Sequence, residues 1–335
     1  MNRIICHATL LIAFASILAA NNTEFVNMDS TNKIHSLLNN TNNLSDSELN
    51  TMKSCSFRNT LGEYISWFTV GKGGNSNTAK KHFYGKDKHQ YILQFIPDGN
   101  DIKKTLVIYI HGGGWNHFEP DDFKYVGAFF SNLGYPTTSL GYRLTPKNKY
   151  PAQIEDVLTG YSTVIQNLKE QHLQIDNIII VGFSAGAHLG GLIAYNKELQ
   201  DKYGVKLLPI KGFCSISGPL RFESAFGKDR SANHMLNMFF EKGFNRSNAE
   251  PYNFISPRDG IQVLCIHSLN DPLCNYQTSV EFLNKVNQNG SALGDLYLET
   301  DGHIHHTNLG IGMFLKDMPA RQALIEWLNK ISDKE

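Results

Sequence analysis

Four consecutive β-branched residues, Ile178-Ile179-Ile180-Val181, run straight into Gly182-Phe183-Ser184-Ala185-Gly186. An uninterrupted apolar run of this length is the mark of a strand covered on both faces, which calls for helices above and below a parallel sheet. Glycines at 182 and 186 lack the Cβ atoms that would collide as the strand folds sharply into a helix. A turn of that shape, a nucleophile elbow, lifts the Ser184 hydroxyl above the sheet in a strained and exposed position. A G-x-S-x-G string alone arises by coincidence in many proteins, so the rest of the chain must supply what a reactive serine needs.

The same alternation of strand and helix signals extends from Phe57 to the end of the 335 residues. Gln90–Ile96 alternates like a half-buried strand, Leu106–Ile110 is continuously apolar, and Thr137–Leu140, Ile210–Ile216, Gln262–His267 and Leu296–Thr300 are further strand candidates. Helices are expected from Asp122 to about Leu133, from Pro151 to His172 with an apolar stripe through Ile154, Val157, Leu158, Tyr161, Ile165 and Leu168, and from about Pro319 to Ile331. The pattern predicts an α/β protein, a mostly parallel central sheet with helices on both faces. A polar and aromatic insertion, about residues 219–257, interrupts the pattern and is expected over the site.

Arg3 precedes an apolar run from Ile4 to Leu18, and Ala19-Ala20 offers a small-residue cleavage point, so residues 1–20 read as a secretory signal peptide too short to span a bilayer comfortably. Residues 21–55, rich in Asn, Ser and Thr, hold too few large apolar side chains for a core and read as a mobile leader; 56–335 form the folded domain. Secretion, or residence in an endomembrane lumen, agrees with glycosylation sequons at Asn21, Asn39, Asn43, Asn245 and Asn289. Without Cys6 the chain keeps Cys55, Cys214, Cys265 and Cys274; Cys214 and Cys265 sit in apolar strands, where buried free thiols are the usual outcome. Lys+Arg and Asp+Glu both total 31, which gives no basic surplus for nucleic acid or an acidic membrane surface. No C-x-x-C or H-E-x-x-H spacing supports a metal site.

Reactive groups in such a sheet gather at the carboxyl ends of strands. The strand ending at Ile110 is followed by His111-Gly112-Gly113-Gly114-Trp115, whose bare backbone N–H groups at Gly113 and Gly114, with that of Ala185 at the start of the elbow helix, form a candidate oxyanion hole. A serine hydroxyl needs a base and the base an orienting acid, in the chain order serine, acid, histidine. Asp271, on the loop after the strand Gln262–His267, is the expected acid. Gly302-His303-Ile304-His305-His306 offers three imidazoles after the last strand; His305 is the preferred base because it sits three residues beyond Gly302, on the far side of a tight turn that lets the loop fold back toward Ser184, with His303 as alternative and His306 behind both. His188, one turn into the elbow helix, reads as a packing residue, and Phe118, Phe222, Phe226, Met235, Met238, Phe239 and Phe240 as either pocket walls or core of the insertion.

Three blocks in order, His111 to Trp115, Tyr142-Arg143-Leu144-Thr145-Pro146 with Tyr150 to Val157, and Gly182 to Leu189, resemble the α/β-hydrolase esterases, specifically the carboxylesterase and feruloyl-esterase-like branch near arylformamidases and isoprenylcysteine methylesterases. The resemblance spans about Tyr84 to Leu328. It implies the α/β-hydrolase fold and cofactor-free cleavage of a small carboxylic ester through an acyl-enzyme on Ser184, with Asp271 as acid, a histidine of the 303–305 region as base, Gly113, Gly114 and Ala185 as oxyanion donors, and an Arg143–Asp156 pair that holds a loop near the site floor. Two positions depart from the family pattern: Ser268 stands where glycine is usual, and the loop carries several histidines in place of a single one. An arylformamidase-like amide hydrolase and a catalytically silent secreted binding protein are the alternative readings.

Overall fold

A computed structural model describes residues 24–26, 79–99, 101–227, 230–289 and 293–332. The signal segment, most of the leader, Cys55 and the sequons at Asn21, Asn39 and Asn43 lie outside the described residues. The strands are β1 (Glu24–Val26), β2 (Lys80–Phe83), β3 (Tyr91–Phe95), β4 (Thr105–Ile110), β5 (Thr137–Leu140), β6 (Asn177–Phe183), β7 (Ile210–Ile216), β8 (Gln262–Ser268) and β9 (Gly294–Glu299). They form one sheet in the order β1-β9-β8-β7-β6-β4-β5-β3-β2. From β9 through to β5 the neighbours are parallel, whereas β1, β2 and β3 join antiparallel at the edges.

The helices are α1 (Lys124–Asn132), α2 (Ala152–Glu170), α3 (Ala185–Tyr195), α4 (Lys197–Lys202), α5 (Phe222–Phe226), α6 (Arg230–Phe239), α7 (Gln277–Gln288), α8 (His306–Leu315) and α9 (Pro319–Ser332). Alternate residues of the central strands point to opposite faces. Ile108, Ile110, Ile178 and Ile180 pack with α2, α3 and α7 and with the insertion on one face. Val107, Tyr109, Ile179 and Val181 pack with α1, α8 and α9 on the other. This double coverage is why β4 and β6 are continuous apolar runs. All of Tyr91–Phe95 is buried too, so the expectation of a half-buried strand there is corrected. Both faces of β3 are covered, since its Ile92 joins the α2 side and its Phe95 ring lies against Gly127 of α1.

The insertion between β7 and β8 is helical, and its aromatic side chains answer the question of core or pocket. Phe222, Phe239 and Phe240 are core, each 5% exposed or less. Trp115 at the end of the glycine loop stacks on Phe239 at 4.4 Å between ring centroids and meets His188 edge-on at 5.3 Å. The insertion is thereby fastened to the glycine loop and the elbow helix rather than laid over open solvent.

Candidate active site

Ser184 closes β6 with φ 52° and ψ −119° and is the N-cap of α3. Positive φ is uncommon for a residue with a side chain and marks stored backbone strain. The surroundings over-determine it. The Ser184 N–H donates to the Ile216 carbonyl at the end of β7, 2.8 Å away. A Cβ on Gly186 would lie 2.0 Å from the Ile110 carbonyl oxygen, and one on Gly182 2.5 Å from the backbone of Ala187. Both glycines are therefore demanded by backbone packing, because real Cβ atoms do not approach so closely. Every residue from Ile178 to Asn196 is buried except Ser184.

The glycine loop lies beside it. A Cβ on Gly112 would come within 3.2 Å of Ser184 Cβ, which fixes how closely the loop approaches the elbow. Gly113 (φ 108°) and Gly114 (φ 58°) both occupy the left-handed half of backbone space. The N–H groups of Gly113, Gly114 and Ala185 donate to no acceptor among the described residues. The loop is held from below: Tyr142 donates its hydroxyl to the His111 carbonyl at 2.9 Å, and the His111 ring stacks on Tyr142 at 4.3 Å. Burial pushes the His111 imidazole down to about 4, and its Nδ1–H donates to the Gly112 carbonyl. His188 is likewise a buried packing residue, lowered to about 4 by burial, with Nε2–H donating to the Ala249 carbonyl. Met235 of α6 lies over Gly114, its Sδ 2.7 Å from where a Cβ would stand.

Asp271 follows β8 and its side chain is 0% exposed. One carboxylate oxygen, Oδ1, accepts the N–H groups of Leu273 and Cys274, each at 2.9 Å. The other, Oδ2, meets His306 Nδ1 at 2.6 Å. Burial works against ionisation of this carboxyl, but the charge and hydrogen bonds of the His306 and His267 imidazoles outweigh it and hold the group well below the ordinary carboxylate range. His306 in turn lies against the elbow, its ring 5.2 Å from that of Phe183.

The histidine brought to Asp271 is thus His306, and not His305 or His303. His305 is the N-cap of α8, in a capping box with Asn308, and its Nδ1 is 3.1 Å from the Asn270 carbonyl. His303 is exposed on the loop, its N–H bonded to Asp301. No local signal in the sequence marked this, because His305-x-x-Asn308 is not the Ser/Thr-x-x-Glu/Gln pattern by which a capping box is recognised. Sequence reading also missed His267, a buried imidazole whose Nε2 stands 3.4 Å from Asp271 Oδ2. Ser268, where glycine is usual, donates its hydroxyl to the Ile304 carbonyl and so ties the acid's loop to the histidine's loop.

The expected Arg143–Asp156 pair is present. Asp156 receives the Arg143 N–H at 2.7 Å, its Nε at 2.8 Å and the Gln90 amide at 2.8 Å. Cys214, Cys265 and Cys274 are buried free thiols. Among the described residues no group of His, Cys, Asp or Glu gathers as a metal site would require, and no helix is long and apolar enough to cross a membrane.

A mostly parallel sheet whose carboxyl edge carries a strained serine elbow, a glycine loop and an Asp–His pair defines an α/β-hydrolase. The BD-FAE family model matches residues 94–286, more than half of the chain, and the chain belongs to that family. Curated relatives include the kynurenine formamidase of Danio rerio, 27% identical over 135 residues (40% of this chain, 44% of the relative), and that of Meyerozyma guilliermondii, 37% identical over 141 residues (39% and 50%). The matched region therefore spans half or less of the length of these relatives. Among solved structures, Esterase B from Lactobacillus Rhamnosis superposes with TM-score 0.65 at 20% identity, covering 85% of this chain and 94% of that one. A hormone-sensitive lipase from a metagenome library superposes with TM-score 0.58 at 17% identity, covering 81% and 91%. At these identities the structural likeness speaks for the fold.

Proposed function

We propose that the protein is a serine hydrolase of carboxylic esters, with Ser184 as nucleophile, His306 as general base and Asp271 as the group that orients it. The observation that carries the reading is the 2.6 Å contact between His306 Nδ1 and Asp271 Oδ2 at the elbow, beside backbone N–H groups without acceptors. A carboxylate on Nδ1–H leaves Nε2 as the proton acceptor. His306 Nε2 takes the Ser184 proton as Oγ attacks the ester carbonyl, and the new oxyanion is received by the N–H groups of Gly113, Gly114 and Ala185. Collapse breaks the ester C–O bond, with the proton passing from His306 to the leaving alkoxide. Water, deprotonated by the same imidazole, then releases the acid from Ser184. Each oxyanion donor in such a site is worth about a hundred- to a thousand-fold in rate.

The formamidase relatives favour a second substrate class, since the same groups would attack a formamide carbonyl. Labelling of the purified chain with a fluorophosphonate, with peptide mapping of the adduct, tests the nucleophile: modification at Ser184 is expected, and an inert Ser184 would sink the proposal. Rates on short p-nitrophenyl esters against N-formylkynurenine separate the two substrates. A Ser184→Ala chain that kept its full biological effect would instead point to a binding role. Secretion and glycosylation belong to the same proposal, supported by the apolar N-terminal run and by an exposed Asn245 in a sequon.

A further inference from the structure

His267 is fully buried at the end of β8, and both of its ring nitrogens are engaged. Nε2 lies 2.8 Å from the Cys274 carbonyl and 3.4 Å from Asp271 Oδ2; Nδ1 lies 2.9 Å from Ser279 Oγ on α7. A carbonyl only accepts, so Nε2 carries a proton and donates it to the Cys274 carbonyl, while the contact of Nδ1 with Ser279 Oγ joins two groups either of which can donate. The Nε2–H that is bonded to Cys274 passes 3.4 Å from the same carboxylate oxygen that meets His306 at 2.6 Å. Asp271 Oδ2 is therefore shared between two imidazoles.

We infer that His267 is a positioning residue for the proposed reaction, a second imidazole that fixes Asp271 and makes its Oδ2 a weaker acceptor toward His306. The inference rests on the Ser184–His306–Asp271 reading. A carboxylate with the positive end of an N–H dipole beside it is less basic, so it stabilises a neighbouring imidazolium less. His306 then stays neutral, and able to accept a proton, to lower pH than if Asp271 served it alone. Among the described residues, ionisable groups near this network include Cys265 on β8, Cys274 on the following loop, and Asp301 and His305 on the loop from β9 to α8. Burial pushes the thiols of Cys265 and Cys274 up, so they remain neutral near pH 7. Asp301 is occupied with the His303 N–H and the His305 ring with the Asn270 carbonyl.

The test compares the full chain with His267→Phe, which removes the donor, and His267→Gln, whose amide nitrogen stands near the position of Nε2. Two readouts are followed against pH: the imidazole proton shifts of His306 by NMR, assigned with His306→Ala, and the rate of fluorophosphonate labelling. In His267→Phe the titration of His306 is expected to move up by about half a unit to one unit, and labelling near pH 6 to slow by about three- to tenfold. His267→Gln is expected to stay within about twofold of the unaltered chain. A folded His267→Phe that titrates like the unaltered chain overturns the inference, and so does a His267→Gln that shifts as much as His267→Phe. Should His267→Phe fail to fold, His267→Leu, smaller and likewise without a donor, decides: an upward shift of His306 supports the inference and an unmoved titration overturns it. An unaltered chain that fails to label at Ser184 defeats the parent reading alone, because the NMR titration does not depend on turnover.

Discussion

His306 Nδ1 stands 2.6 Å from Asp271 Oδ2, while the adjacent His305 caps the helix that His306 begins. Two neighbouring residues thus carry one imidazole aimed at a buried carboxylate and one aimed at a backbone carbonyl. Replacement of His306 by Ala is expected to lower ester hydrolysis by about a thousandfold or more, the scale of losing the base from a serine triad. Replacement of His305 by Ala should cost less than about tenfold in rate and about 1 kcal/mol in stability, the ordinary loss of a helix cap. Steady-state rates on a p-nitrophenyl ester check both, and equal losses would refute the assignment.

The lowered ionisation of Asp271 sets the direction of a pH effect on stability. Because the folded-state value lies below the unfolded value of about 4, the contribution is present above that pH and is lost as pH falls through the lowered folded value. Urea midpoints of the unaltered chain and of Asp271→Asn should differ at about pH 5 and converge as the solution is made more acid. A gap that widened on acidification below about pH 5 would contradict the ionised, hydrogen-bonded carboxylate.

Gly186→Ala is expected to destabilise the chain by about 3 kcal/mol or more, at or above the usual range for overpacking, since the new methyl would meet the Ile110 carbonyl at 2.0 Å and backbone must move. Gly204→Ala offers a contrast. Nothing lies within 4 Å of its Cβ position, so only the cost of its positive φ, about 1 kcal/mol, should appear. Equilibrium denaturation of the two variants measures the difference.

Asp156 is 2% exposed, whereas its partner Arg143 keeps 25% of its side-chain surface in contact with solvent. Breaking a fully buried pair costs about 3–5 kcal/mol. Asp156→Ala should fall at or below the low end of that range, about 2–3 kcal/mol, because the guanidinium is able to turn toward water. The loop from Tyr142 to Pro151 should also become more susceptible to protease, as limited proteolysis would reveal.

Cys214, Cys265 and Cys274 are buried, and burial pushes all three thiols up. Their thiolate fraction near pH 7 is small and reagents have no access, so none of the three should react with iodoacetamide in the native state. All three are expected to react in denaturant, and mass spectrometry of the peptides counts them.

Much of the fold was legible because the central strands are buried on both faces, and burial leaves an uninterrupted apolar signature at residues 106–110 and 178–181. The elbow and the glycine loop were legible for a related reason: where backbone meets backbone only glycine fits, so the chain must write glycine at 182 and 186. Strand β2 and helices α7 and α8 escaped notice. β2 is a largely exposed edge of four residues, and α8 is apolar around most of its circumference, so neither shows a clean period. The insertion was ambiguous because Phe222, Phe239 and Phe240 have the same composition whether they line a cleft or fill a core, and only the stacking of Trp115 on Phe239 decided for the core.

The sequence by itself determined the α/β class, the serine on its turn, the glycines beside it and the order in which acid and histidine follow, because each is imposed by local sterics or by strand burial. The tertiary structure alone decided which of three crowded imidazoles meets Asp271, and that His267 approaches the same carboxylate from behind. The first depends on where α8 starts and how the loops after β8 and β9 lie against each other, contacts 35 positions apart in the chain; the second joins residues only four apart and depends on how the turn after β8 folds back on the strand, which spacing does not record.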